Sequence, residues 1–202
     1  MNNVVHLCDC MEGMKQYPDN HFELAIVDPP YGINITSECM GSRKTVEADK
    51  TKTWDSKPPD KDYFNELFRV SKNQIIWGGN YFDLPNSRYF AIWDKGETMY
   101  GRDFAEAEYA WVKSGGTRIK KISPVQIDRI HTTQKPIKLY EWLLKNYANE
   151  GDKILDTHVG SGSSRIACHK MGFDFTGYEI DKDYFEAQEK RYNQFISQTT
   201  LF

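Results

Sequence analysis

No stretch of this 202-residue chain is apolar for long enough to cross a bilayer. The first residues, Met1 to Met14, lack the basic and then apolar pattern of a secretory leader, so a cytoplasmic protein is expected. Cysteine is scarce, with only Cys8, Cys10, Cys39 and Cys168. Cys8 and Cys10 are too close to bridge easily, no zinc-ligand spacing appears, and reduced thiols with no metal site are expected. There is no internal repeat and no low-complexity tract. Positive charge is not in excess: 26 Lys and Arg face 29 carboxylates, a formal charge of −3. That excludes a protein held on nucleic acid by bulk charge alone, though not one with a local basic face.

What the chain does have is aromatic side chains, 14% of residues, including 12 Tyr and 5 Trp. Its length suits one domain. Short apolar runs predict strands at Val4 to Leu7, Phe22 to Val27, Gln74 to Trp77, Tyr89 to Trp93, Tyr109 to Val112, Lys153 to Leu155 and Phe173 to Tyr178. Helical spacing predicts helices over Asp9 to Tyr17, Asp62 to Val70, Ile137 to Tyr147, Ser163 to Met171 and Tyr184 to Phe195. Two segments, Gly32 to Asp60 and Gly115 to Ile130, read as irregular and basic. A stretch that long without periodicity in a compact domain is usually functional or mobile. The alternation of strands and helices points to an α/β fold with a mostly parallel sheet and helices on both faces. Ligands in such folds bind beyond the carboxyl ends of the strands.

Four strand ends carry an acid at or just past the apolar run: Asp9, Asp28, Asp156 and the pair Glu179 and Asp181. After Asp156 the chain turns through Gly160-Ser161-Gly162 into a helix. Glycines there permit tight turning and close backbone approach to a ligand. A plain strand-to-helix turn has the same look. Glu179 follows Asp156 by about 20 residues, the offset at which a nucleotide-binding unit places an acid for ribose hydroxyls. Glu179 or Asp181 could equally cap the following helix, and Asp181 is expected to. Asp28-Pro29-Pro30-Tyr31 is the sharpest signal. Two prolines remove donors and stiffen the loop. The carboxylate and backbone carbonyls then offer acceptors, and Tyr31 a flat ring. That set suits an exocyclic amino group on a flat heterocycle.

Together these residues resemble the amino-group DNA methyltransferases that use S-adenosylmethionine. Asp28-Pro29-Pro30-Tyr31 is similar to the family's catalytic loop. Asp156 to Ser164 resembles its methionine-binding glycine loop, and His131-Thr132-Thr133-Gln134-Lys135-Pro136 resembles the segment written H-P-T-Q-K-P. Gly177 to Asp181, with Tyr184, Ala187 and Arg191, resembles the ribose-binding strand and its helix. Cys8-Asp9-Cys10 sits where the family has an acid that meets the cofactor adenine. The catalytic loop precedes the glycine loop, the permuted order of the β group. Thr157 and His158 stand where the family usually has Pro and Phe, Thr132 where it has Pro, and Ser163 and Ser164 where it has threonines.

The resemblance implies a Rossmann-like methyltransferase fold spanning residues 1–202 as a single domain. It implies a cofactor site of Asp9, Thr133, Gln134, Lys135, Asp156, His158, Gly160, Ser161, Gly162, Ser163, Glu179 and Ile180. It implies a catalytic set of Asp28, Pro29, Pro30 and Tyr31, with Tyr31 stacking on a base flipped out of duplex DNA. Acceptors on both amino hydrogens would localise the nitrogen lone pair and aim it at the methyl group. No covalent intermediate is needed. No Cys follows a Pro here, so the nucleophile that cytosine ring-carbon methylation requires is missing. Asp at the head of the tetrapeptide favours adenine N6 over cytosine N4. The alternatives are N4-cytosine methylation, another flat amide or base as acceptor, and an inactive DNA-binding subunit. Arg43, Lys44, Lys50 and Lys52 in the first basic segment, and Arg118 and Lys120 in the second, are expected to contact DNA, although solvated loops explain such charges as well. The chain has little room for a separate target-recognition region. Low specificity, a short site, or help from a second copy in a homodimer would each answer that, in a phage, mobile-element or restriction setting.

Overall fold

The computed structural model describes residues 2–35, 52–124 and 129–199. Its elements in chain order are β1 (Asn3–Leu7), α1 (Cys10–Met14), β2 (Phe22–Val27), α2 (Lys61–Val70), β3 (Ser71–Trp77), β4 (Tyr89–Asp94), β5 (Ala107–Val112) and β6 (Arg118–Lys121). There follow α3 (Ile137–Tyr147), β7 (Lys153–Asp156), α4 (Ser163–Met171), β8 (Asp174–Glu179) and α5 (Lys182–Thr199). The strands form one eight-stranded sheet in the order β1-β8-β7-β2-β3-β5-β4-β6. Only β5 runs against its neighbours, β3 and β4.

Strand alternation sorts the core into two layers. Leu24 and Ile26 of β2, with Ile75 and Trp77 of β3, pack with Leu139, Leu143 and Leu144 of α3. Ala25 and Val27, one residue out of step, pack on the opposite side with Met14 of α1 and Tyr63, Phe64, Leu67 and Val70 of α2. A strand buried on both faces must be apolar almost throughout, as β2 is.

The connections set the site. From β2 the chain passes through α2 to β3 on one side, and from β7 through α4 to β8 on the other. Adjacent β2 and β7 are therefore the topological switch point, where the following loops part and leave a crevice. Asp28 follows β2 directly and Asp156 ends β7. Among the described residues, no helix is long and apolar enough to cross a membrane and no cluster could hold a metal ion.

The basic segments need correction. Arg118–Lys121, expected to be irregular, is an edge strand paired parallel to β4, with Ala91 opposite Arg118. Within 32–60, Trp54–Ser56 forms a 3-10 turn that buries Asp55. Arg43, Lys44 and Lys50 lie outside the described residues. The last helix begins two residues before the expected Tyr184.

Candidate active site

Asp28 leaves the end of β2 with its carboxylate held from two directions. The Tyr31 hydroxyl donates to Oδ1 at 2.7 Å, and the Lys135 ammonium reaches Oδ2 at 2.5 Å. Lys135, 4% exposed, also lies 3.1 Å from Glu108 Oε2, and Glu108 pairs in turn with Lys95 at 2.9 Å. Burial draws the Lys135 ammonium toward its neutral form, but Asp28 and Glu108 outweigh that and hold its pKa above the ordinary lysine value. A carboxylate oxygen has about two lone pairs, so each Asp28 oxygen keeps room for another donor. Among the described residues nothing donates to the Pro29 carbonyl.

The Tyr31 ring, expected to stack on a base, already has an aromatic neighbour. It stacks on Tyr81 at 4.8 Å between centroids and 10° between planes. It also lies so close to the backbone at Gly78, φ +68°, that a Cβ there would meet its Cε1 at 2.2 Å. Tyr81, in the 3-10 turn Gly79–Tyr81 that follows β3, is 47% exposed and carries the stack outward. Sequence reading missed it, as it missed Asp55. The Asp55 carboxylate, 2% exposed, takes the backbone N–H groups of Tyr31 at 2.7 Å, Gly32 at 2.9 Å and Ile35 at 2.9 Å. These are the donors the chain recovers after its two prolines, and one side chain collects them.

Beside this crevice a cleft of about 110 Å³ is lined by Cys8, Asp9, Cys10, Thr157, His158, Tyr178, Glu179 and Ile180. It gathers Asp9, His158, Glu179 and Ile180 of the expected cofactor set. Asp9 caps α1, its Oδ1 accepting from Met11 N at 2.8 Å. Glu179 ends β8, its Oε2 accepting from Gly160 N and its Oε1 from Asp181 N, each at 2.9 Å. Burial pushes its carboxyl upward. Asp181 caps the next helix as expected, accepting from Asp183 N and Tyr184 N.

The other expected cofactor residues are placed differently. The Asp156 carboxylate is used by its own loop, accepting from His158 N at 3.0 Å and Ser164 Oγ at 2.5 Å. Ser161 and Ser163 are buried, and Arg191 donates to the Ser161 carbonyl and Ser163 Oγ. Gly160 and Gly162 take φ of 51° and 74°, which glycine adopts without strain. Thr133 binds His131 Nδ1, and the Gln134 side chain accepts from Ile130 N, so both close their own turn. Pro136 stands at the N-cap of α3 with no side-chain cap. The segment bridges the two loops instead: His131 lies 3.6 Å from the Cβ position of Gly160 while Lys135 reaches Asp28.

Of the expected DNA contacts, Lys52 is redirected. Its ammonium lies 2.6 Å from both Asp181 and Asp183. Arg118 and Lys120 are exposed on β6.

The fold has known counterparts. YubD of Escherichia coli (strain K12) is 24% identical over 205 residues, covering 91% of this chain and 87% of the relative. A solved structure of an M1.HpyAVI–SAM complex superposes with a TM-score of 0.61 at 19% identity, covering 93% of this chain and 98% of that one. The cytosine-N4-specific DNA methyltransferase PvuII superposes with a TM-score of 0.64 at 12% identity, covering 95% and 86%. These likenesses fix the fold as that of known methyltransferases. The N6_N4_Mtase family, described as DNA methylase, matches residues 76–190, more than half of the chain. The chain therefore belongs to the N6_N4_Mtase family of DNA methylases, with its Asp-Pro-Pro-Tyr loop ahead of its glycine loop.

Proposed function

We propose that this chain moves a methyl group from S-adenosylmethionine to the exocyclic N6 amino group of an adenine flipped out of DNA. The observation that carries the reading is the acceptor-only loop at Asp28, set at the switch-point crevice beside a cleft whose two carboxylates suit an adenosyl group. An adenosyl group offers hydrogens on its amino nitrogen and ribose hydroxyls. Asp9 and Glu179 both keep lone pairs for them, which is the fit this cofactor requires. M1.HpyAVI, of like fold, has been solved with SAM. When bound, the cofactor supplies an electrophilic methyl group.

The chain's own residues do the rest by position and charge. Asp28 and the Pro29 carbonyl accept the two amino hydrogens and aim the nitrogen lone pair. The Tyr31 hydroxyl and the Lys135 ammonium hold the carboxylate in place. The Tyr31–Tyr81 stack is the aromatic surface against which a flipped base settles. The described parts of the basic regions about 32–60 and 115–130 join the same continuous fold. We take the chain as one methyltransferase domain, with Arg118 and Lys120 of β6 as its DNA-contacting cations. PvuII, of like fold, acts on cytosine N4, so the choice of adenine rests on Asp28 heading the tetrapeptide.

Labelled methyl transfer into DNA, followed by nucleoside analysis, tests this. N6-methyladenine is expected, with turnover cut by about 10²–10³ in Asp28→Ala, as when one preorganised polar group is lost. Cofactor affinity should be retained in that variant. N4-methylcytosine would establish the alternative acceptor. DNA and cofactor binding without any methyl transfer would make the chain an inactive subunit.

A further inference from the structure

His158 occupies the cleft where the family usually has an aromatic hydrocarbon ring, and its surroundings fix which of its nitrogens carries the hydrogen. Nδ1 lies 2.9 Å from Thr157 Oγ1, and Thr157 Oγ1 lies 2.7 Å from the Tyr63 hydroxyl. Tyr63 is 3% exposed and Thr157 2%. Thr157 can pass the chain on in either direction, or accept from both neighbours, which would leave its own buried hydrogen without an acceptor. If Nδ1–H donated to Thr157 and Thr157 to Tyr63, the phenol hydrogen would be left without an acceptor in a buried place, at the desolvation cost of that group. If Tyr63 donates to Thr157 and Thr157 to Nδ1, both buried hydroxyl hydrogens have an acceptor. Burial pushes the Tyr63 phenol pKa far up, so that hydrogen stays in place, and holds the His158 imidazole down at about 4, so the ring is neutral. The hydrogen of the ring is then on Nε2.

Nε2 has no partner among the described residues, nor is it one of the enclosed polar atoms left without one. It is therefore in contact with open space, and we assign that space to the cleft that His158 lines. The tilted approach of the Tyr63 ring, 5.5 Å away at 69°, closes another side of the imidazole. The cleft thus presents two carboxylates that accept, from Asp9 and Glu179, and one N–H that donates. Its remaining polar side chains are the thiols of Cys8 and Cys10, weak donors, the Tyr178 hydroxyl, and the Thr157 hydroxyl already engaged with Nδ1. An adenosyl group has the complementary set: amino and ribose hydrogens to give, and ring nitrogens to accept.

We propose that His158 is a cofactor-selecting residue whose Nε2–H, fixed by the Tyr63–Thr157 hydroxyl chain, donates to a ring nitrogen of the cofactor adenine. This rests on the adenosyl reading of the cleft given above. A phenylalanine at this position could pack against the adenine but could not sense whether a ring atom is nitrogen or carbon.

Two measurements on the full chain test it. In two-bond nitrogen–proton NMR of ring-labelled histidine at neutral pH, without ligand, His158 should show a protonated Nε2 and an unprotonated Nδ1. Thr157→Val should disturb that pattern while Thr157→Ser keeps it. Calorimetry with S-adenosylhomocysteine and its deaza analogues, each with one adenine ring nitrogen replaced by C–H, should then find one analogue bound roughly three- to tenfold more weakly. That penalty should vanish in His158→Phe. A protonated Nδ1 in the wild-type chain overturns the proposal, and so do equal affinities for all analogues when the parent compound binds. Failure of S-adenosylhomocysteine to bind overturns the adenosyl reading, and the proposal with it.

Discussion

Asp55 shows how one residue can set the shape of the loop that follows Asp28 from a distance in sequence. Its carboxylate is buried and gathers three backbone N–H groups of 31–35, two of them on Oδ1. Asp55→Ala leaves those donors without partners, at about 1–3 kcal/mol for each that stays buried. Asp55→Asn keeps an oxygen for Tyr31 and Gly32 but turns an amide hydrogen toward Ile35 N–H. We expect a loss of about 1–3 kcal/mol on denaturant unfolding for Asn, a larger one for Ala, and turnover falling further than cofactor affinity in both. An Asp55→Ala chain as stable as wild type would refute the role. Asp156 behaves oppositely. Burial pushes its carboxyl from 3.8 up to about 7, against the opposing pull of Ser164 Oγ and the His158 N–H. A carboxyl whose folded pKa lies above its unfolded one contributes its stability fully below the unfolded value, near pH 4, and loses it as pH rises through about 7. The span corresponds to about 4 kcal/mol. Asp156→Asn cannot ionise, so its stability relative to wild type should rise between about pH 4 and pH 8, whatever constant cost its altered hydrogen bonds bring. Unfolding free energies measured at both ends, with a gap that does not widen, would show that Asp156 does not titrate this way.

At the scale of the element, what could be read from sequence follows from what held each element together. Phe22–Val27, Ile137–Tyr147 and Ser163–Met171 form over the residues their apolar spacing marks, because burial of those residues is what stabilises them. β6 carries only one apolar residue, Ile119, and all four of its residues are exposed. Its existence depends on backbone pairing with β4, which no local pattern announces. The site divides in the same way. Asp28, Glu179 and the glycine turn stand at strand ends, where sequence order alone points. Asp55, Tyr81 and the Lys135–Asp28 pair depend on contacts between residues far apart in the chain. A local signal with a measurable value is the cap of α2. Asp60 accepts from Tyr63 N at 3.0 Å, satisfying an N–H of the first turn. Tyr63 also begins the hydroxyl chain to His158, so the cap anchors a residue that backs the cleft lined by Asp9, His158 and Glu179. Asp60→Ala should lower unfolding free energy by about 1 kcal/mol. Asp60→Asn, which keeps the acceptor, should lose much less, and equal losses in the two variants would count against a capping role.

For the molecule as a whole, charge decides how DNA can be held. With a formal charge of −3 the chain has no general attraction for a polyanion, and association has to come from a few cations on one face. The described structure narrows the candidates. Lys52 is bound between Asp181 and Asp183, so a phosphate would have to displace two carboxylates already in place. Lys121 is paired with Glu97. Arg118 and Lys120 stand exposed on β6, at the sheet edge beyond β4, and have no carboxylate partner among the described residues. Each phosphate neutralised releases counterions and contributes about 0.9 to the slope of log affinity against log salt. The combined Arg118→Gln and Lys120→Gln variant should therefore flatten that slope by nearly 2 and weaken binding to all sequences alike. Lys52→Gln should leave the slope unchanged and instead lower thermal stability, because what it breaks is internal. Anisotropy titrations of a labelled duplex over a series of salt concentrations measure the affinities and slopes, and thermal unfolding measures the stability. A slope that falls with Lys52→Gln and not with the β6 pair would place the DNA near the start of α5 instead of at the sheet edge.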